Sequence, residues 1–344
     1  MLNMSLASVR RCSPTSQAGD FFFPTPEGPY TPLKVHLTFE QQLALLKERG
    51  LEIESDTRCK AALQRLGYYR LVGYWYPLRK PRTDGVLGRL DKFQQGASFD
   101  AIERLYEFDK QLRLLVLDAI ERIEVAVRVD VAYLLGKRHR FAHERPECLD
   151  ANFTGQSKGK GRTRFTVWSE KLALSVANAR DDFVAHHRHK YGGRMPIWVV
   201  IEVWDFGLLS KLFSGLQFKD QRKIAQRYGL PDGQYLASWL RALNFSRNVA
   251  AHHSRLWNRN VPEVPKIPPQ STHPILHHLH ENPQRLRRVY GVLCLMRYLL
   301  RTIAPECDWH ERLKMLSGTF PTNELLALEA AGFPLDWEKA QLWT

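Results

Sequence analysis

The segment FDAIERLYEFDKQLRLLVLDAIERIEVAVRVDVAYLLG, from Phe99 to Gly136, constrains the fold of this chain more than any other. It contains no proline, and no glycine until Gly136. Leu105, Phe108, Leu112, Leu115, Ala119, Ile120, Ile123, Val127, Val131 and Leu134 keep an apolar stripe at three-to-four spacing. That period predicts one long amphipathic α-helix, because residues three and four apart share a helix face. Asp100 and Glu103 have the spacing of a capping box at its start. A stripe this long needs several other helices to cover it.

The rest of the chain supplies candidates. LTFEQQLALLKERG reads as a helix capped by Thr38 and Gln41 and ended by Gly50. CKAALQRLG and RKIAQRYGLPD read as short helices, and PIWVVIEVWDFGLLSKLFSGL as an apolar helix opened by Pro196. GQYLASWLRALNFSRNVAAHHSRLWNR reads as one continuous helix, with Leu236, Trp239, Leu240 and Leu243 inward. After the proline-rich VPEVPKIPPQSTHP, a final amphipathic helix is expected from about Pro283 to Ile303. The aromatic run YYRLVGYWYP reads as a bend or extended piece, and no hairpin signal, alternating strand or repeat stands out. The expectation is an all-α fold, a multi-helix antiparallel bundle with additional helices. Residues 1–33, rich in Ser, Thr, Pro and Gly, read as a flexible tail before a single helical domain over 34–344, and TGQSKGKGRTRF reads as a mobile loop.

Charge points to the partner. Fifty Lys and Arg against 36 Asp and Glu give +14, which favours an anionic partner, with RNA the leading class. Five scattered cysteines without a C-x-x-C pair argue against a disulfide framework or a cysteine zinc site, and a reducing compartment fits them. The first residues lack the apolar run of a signal peptide. In VYGVLCLMRYLLRTIA, Arg297 and Arg301 argue against a membrane span. A soluble, cytoplasmic protein with no membrane partner is expected.

Chemistry concentrates in SRNVAAHHSRLWNR, Ser246 to Arg259. Arg247 and His252 frame an R-x-x-x-x-H pattern. A histidine can move a proton to or from a ribose 2′-hydroxyl or a leaving 5′-oxygen. A guanidinium can hold the phosphate and stabilise the charge of a pentacoordinate transition state. Asn248 can orient either group, and neither a metal nor a cofactor is needed. On an ideal helix the arginine and histidine diverge by about 140°, and one histidine is half of an acid–base pair. Both points favour a site shared between two copies.

SWLRALNFSRNVAAHHSRLWNR resembles the signature of the Abi-like family of bacterial abortive-infection proteins. LTFEQQLALLKERGLEI, LGYYRLVGYWYP, YEFDKQLRLLVLDAIERIEVAVR, PIWVVIEVWDFGLLSKLF and GFPLDWEKAQLW look like that family's blocks in the same order, from about Lys34 to the C-terminus. Family members are similar to HEPN domains, helical bundles whose R-x-x-x-x-H motif forms a metal-independent endoribonuclease site, usually across a dimer. The resemblance therefore implies a HEPN-like core at about 98–262 with a C-terminal helical extension. It also implies catalytic roles for Arg247, Asn248 and His252. Phe245 and Ser246 stand where the family would have leucine or isoleucine before the motif arginine.

His253, Arg255 and Arg259 are candidates for holding RNA phosphates. Glu124 and Arg128 read either as an intrahelical ion pair or as support for the cleft around the catalytic arginine. Trp257 and Asn258 read as packing at the helix end. His273, His277 and His280 have metal-ligand spacing but no accompanying acid or cysteine, so a solvated or RNA-facing helix is the plainer reading. HHRH at 186–189 and KGKGRTR at 158–164 read as solvated basic segments. The function expected is an endoribonuclease of abortive infection or a toxin, acting on RNA as a homodimer. The alternative is a protein that binds a structured non-coding RNA without cutting it.

Overall fold

Forty consecutive residues, Phe99–Arg138, form one helix, about 60 Å long at 1.5 Å per residue. The computed structural model describes residues 35–155 and 161–344. The expected tail over 1–33 and the centre of the TGQSKGKGRTRF loop lie outside the described residues. The chain divides into two units, residues 1–38 and 39–344, and every element below belongs to the second. In chain order these are α1 (Phe39–Glu48), α2 (Asp56–Leu66), α3 (Tyr68–Trp75), β1 (Arg79–Pro81), β2 (Arg89–Phe93), then α4, the long helix. α5 (Ala151–Thr154), α6 (Arg164–Asn178), α7 (Asp182–Tyr191), α8 (Ile197–Val200), α9 (Phe206–Ser214) and α10 (Phe218–Arg227) follow. α11 (Gly233–Ala251), α12 (His277–Glu281), α13 (Val289–Ile303) and α14 (Trp309–Ser317) complete the set. Among the described residues the protein is all-α apart from one small two-stranded sheet.

α4 is the axis of the fold and packs against α3, α8, α9, α11, α13 and α14. Every residue of its expected stripe is buried except Leu134, which is partly buried. Its many valines and isoleucines disfavour a helix by roughly half a kcal/mol each. Burying such a side chain returns roughly 2 kcal/mol, so packing decides the conformation. The expected cap does not form. Ser98 is the N-cap, accepting from the Ala101 amide at 3.3 Å. Asp100 and Glu103 turn instead to Arg58 of α2, at 3.3 and 2.6 Å.

Three further expectations are corrected. YYRLVGYWYP is a helix, α3, started after Gly67, whose φ of 81° breaks α2. PIWVVIEVWDFGLLSKLFSGL is not one helix: it breaks at Trp204, and Asp205 caps α9 by accepting from the Leu208 amide at 2.6 Å. A hairpin is present, β1 pairing antiparallel with β2. Its strands, RKP and RLDKF, are too short and charged to alternate, and the turn signal is Asp84-Gly85, with Gly85 at φ 75°. In addition, α13 begins at Val289 rather than near Pro283, and α14 follows it. Among the described residues no helix is long and apolar enough to cross a membrane. The four described cysteines are free.

Candidate functional site

α11 carries the motif to an abrupt stop. Asp232 caps its start, accepting from the Gln234 amide at 2.8 Å. Leu236, Trp239, Leu240 and Leu243 are fully buried, as their spacing requires. The helix ends at Ala251, not at Arg259, which corrects the continuous helix expected from SRNVAAHHSRLWNR. His253 adopts φ 55°. Its amide reaches the Ala250 carbonyl and the Ser254 amide reaches the Val249 carbonyl, both at 3.0 Å. This is the pairing of a Schellman C-cap, with a histidine where glycine is usual.

Two neighbours impose that turn. Arg70 of α3 donates to the His253 carbonyl at 2.7 Å. Asp109 of α4, fully buried, accepts from the Leu256 amide at 3.1 Å and the Trp257 amide at 2.7 Å. The Tyr74 hydroxyl, at 2.7 Å, and Arg113 complete the carboxylate's shell. Burial pushes the Asp109 carboxyl upward, and Arg113, Tyr74 and the two amides pull it back. Asp109 had a legible signal: it interrupts the apolar face between Leu105 and Leu112, with Arg113 four residues on.

Arg247 and Asn248 lie near the end of α11, and His252 is its C-cap. His252 is exposed, and its amide still closes on the Asn248 carbonyl at 3.0 Å. It therefore follows the helical path, and the divergence of about 140° from Arg247 holds. Arg247 is half-buried, with its Nη1 3.4 Å from the Asn248 Oδ1. It lies within electrostatic reach of two carboxylates, Glu124 on α4 and Asp205 at the start of α9. Burial raises the Glu124 carboxyl against the pull of Arg128 and Arg247. Asp205 is also pushed up by burial, but Lys171 at 2.5 Å, the Leu208 amide and Arg247 outweigh that and hold it low.

Arg128 makes contacts both along α4 and across to the segment that leads into α9. It pairs with Glu124 along α4, and it donates to the Trp204 carbonyl at 2.5 Å, just before Asp205. The three candidate phosphate contacts part company. His253 and Arg259 are exposed, the latter over the Phe245 ring at 5.9 Å. Arg255 turns inward, donating to the Gly73 carbonyl, and burial lowers its guanidinium. Trp257 is buried, and the Asn258 carbonyl accepts from Arg288 at 2.9 Å.

A family model described as Abi-like protein matches residues 61–258. The chain belongs to the Abi-like family. The match is narrower than the resemblance from Lys34 to the C-terminus, but it encloses α3, α4, Asp205 and the motif. In this Abi-like protein it therefore covers both the motif side chains and the residues that fix the turn after them. Neither a curated protein nor a solved structure matches the chain.

Proposed function

We propose that this Abi-like protein is a metal-independent endoribonuclease acting in abortive infection or as a toxin. The observation that carries the reading is the grouping of an exposed His252, a half-buried Arg247 and Asn248 at the end of α11. His252 removes the proton from a ribose 2′-hydroxyl. The 2′-oxygen attacks the adjacent phosphorus, and the bond to the 5′-oxygen breaks. A proton returns to that oxygen, giving a 2′,3′-cyclic phosphate and a 5′-hydroxyl. Arg247 stabilises the charge on the phosphoryl oxygens, and Asn248 orients it. Glu124 and Asp205 act on the guanidinium through their charge, as positioning residues. His253 and Arg259 supply exposed phosphate contacts, whereas the inward turn of Arg255 favours a structural role for it.

A homodimer lets the arginine of one copy work with the histidine of the other. Val125, Val129 and Tyr133 form an exposed stripe on α4, 50%, 55% and 66% accessible, and Trp198 beside them is 52% accessible. Val129, Tyr133, Trp198 and Arg128 line one cleft, and Arg128 pairs with Glu124, whose charge reaches Arg247, so we seat the second copy there. The test is cleavage of RNA by purified protein in EDTA. Arg247→Ala and His252→Ala should each slow cutting by on the order of 100-fold or more. Cutting at the wild-type rate by both variants would remove the assignment. The charge of +14 also suits a second reading, a protein that holds a structured non-coding RNA without cutting it. Salt-dependent RNA affinity that survives loss of His252, with no cleavage, would favour that reading.

A further inference from the structure

A cleft of about 500 Å³ opens between α6, α9 and α11, away from the last turn of α11. Its lining combines the cations Arg164, Lys211 and Arg241, and an Arg162 paired with Glu170, with the apolar Val167, Trp168 and Phe153. No carboxylate is among its described lining residues. Arg164 and Lys211 are exposed and have neither an ion pair nor a side-chain hydrogen bond among the described residues. Arg241 is more engaged, donating to the Ala237 carbonyl at 3.2 Å and lying 3.5 Å from Glu263. Converging cations repel one another, and an anion between them relieves that repulsion. An inorganic anion would leave the apolar side chains unused, above all the half-exposed Val167. A nucleoside phosphate matches both kinds of lining, with phosphate on the cations and base on the apolar side chains.

α11 joins this cleft to the motif. Arg241 and His252 are eleven residues apart, which on a helix is about 16 Å along the axis and only about 20° around it. Asn248 lies on the same side, between them. A strand anchored in the cleft therefore runs along one face of α11 toward the proposed reactive histidine.

We infer that the α6–α9–α11 cleft binds one nucleotide of a single-stranded RNA, a few nucleotides from the bond to be cut. This rests on the proposed RNA chemistry at His252. Arg164 and Lys211 take the phosphate, and Arg241 and Val167 complete the subsite. Because the subsite is remote from the reacting atoms, it acts on binding rather than on the chemical step.

The test separates the two. In the full chain carrying His252→Ala, affinity for a fluorescein-labelled single-stranded RNA 15-mer is measured by anisotropy over a range of KCl. Adding Arg164→Glu and Lys211→Glu together should weaken binding at least tenfold and flatten the salt dependence. The loss expected is about 0.7 in log–log slope for each phosphate contact removed from a single strand. Lys211→Ala alone should give a smaller loss of the same kind. Arg301→Glu, a charge reversal on α13, should change affinity less than twofold. In a chain with His252 intact, the double variant should raise KM and leave kcat near its parent's. RNA affinity within twofold of the parent overturns the subsite, even if wild type cuts RNA. AMP that binds the parent but not the double variant, while RNA affinity stays equal in both, also overturns it and assigns the cleft to a free nucleotide. If RNA binding falls as expected but wild type cuts nothing, the subsite stands and the nuclease reading falls.

Discussion

His143 and His278 are 1% and 5% exposed, and each has a buried Nδ1 without a hydrogen-bond partner among the described residues. Burial holds each ring down to about 4 from an ordinary 6.5; Glu144 opposes the shift at His143, whereas His277 and Arg285 add to it at His278. The folded state thus keeps both rings neutral where the unfolded chain takes up protons. Stability from this source is complete above pH 6.5, falls as pH drops through the unfolded value, and levels off near 4. Each ring contributes a slope of roughly 1.4 kcal/mol per pH unit inside that window. The midpoint of thermal unfolding should therefore be flat from pH 8 to 7 and fall steeply from 6.5 to 4.5. His278→Gln should start lower at pH 7.5 but fall less steeply, and parallel curves would reject the account. The sequence grouped His273, His277 and His280 of HPILHHLH on one face, as a solvated or RNA-facing helix, and gave His278 no role. His273, His277 and His280 each engage a backbone carbonyl, those of Gly229, Pro274 and Pro268. His278 faces inward, 3.6 Å from the Cys294 Sγ. Spacing reveals which residues share a face, but not which face another element will cover.

The exit of α11 depends on α4, through a carboxylate 147 residues away from the first amide it holds. Asp109→Ala would strand Arg113 without its partner and leave the Leu256 and Trp257 amides unsatisfied. Removing one member of a buried pair costs about 3–5 kcal/mol, so the urea midpoint should drop sharply, with cleavage falling in parallel as the last turn loses its frame. An unmoved midpoint would show that packing of Trp257, not Asp109, fixes the turn. This arrangement also explains how far the elements were legible. α4 was readable because its period is local and unbroken. The end of α11 was not, because the signal that stops a helix is usually glycine, and here His253 takes the left-handed position under tertiary compulsion. α3 was misread for a related reason: its aromatics pack on distant partners, Tyr74 on Tyr106 at 5.1 Å among them. The sequence placed Arg247, Asn248 and His252 near the end of one helix, and the structure has them there. Asp205, whose charge reaches Arg247, and Arg70, which donates to the His253 carbonyl, come from elements whose approach no local pattern records.

At the scale of the whole molecule, one copy presents a single motif whose arginine and histidine diverge, beside an uncovered apolar stripe. The charge of +14 suits RNA but does not say how many chains grip it. If two copies pair about a two-fold axis, the same surface of each meets the other, and each site can take its arginine from one chain and its histidine from the other. Arg247→Ala and His252→Ala would then be inactive alone, but a mixture would regain activity. In an equimolar exchange half the dimers are mixed, and one of the two sites in each is intact. Activity of about a quarter of wild type is therefore expected if the protomers pair at random. Val129→Glu, which places a charge in the middle of the stripe, should make the protein monomeric and abolish the rescue while leaving thermal stability close to wild type. Failure of the mixture to recover, when sedimentation confirms mixed dimers, would mean that each copy carries a complete site. Arg247 and His252 would then have to meet within one chain, around the last turn of α11.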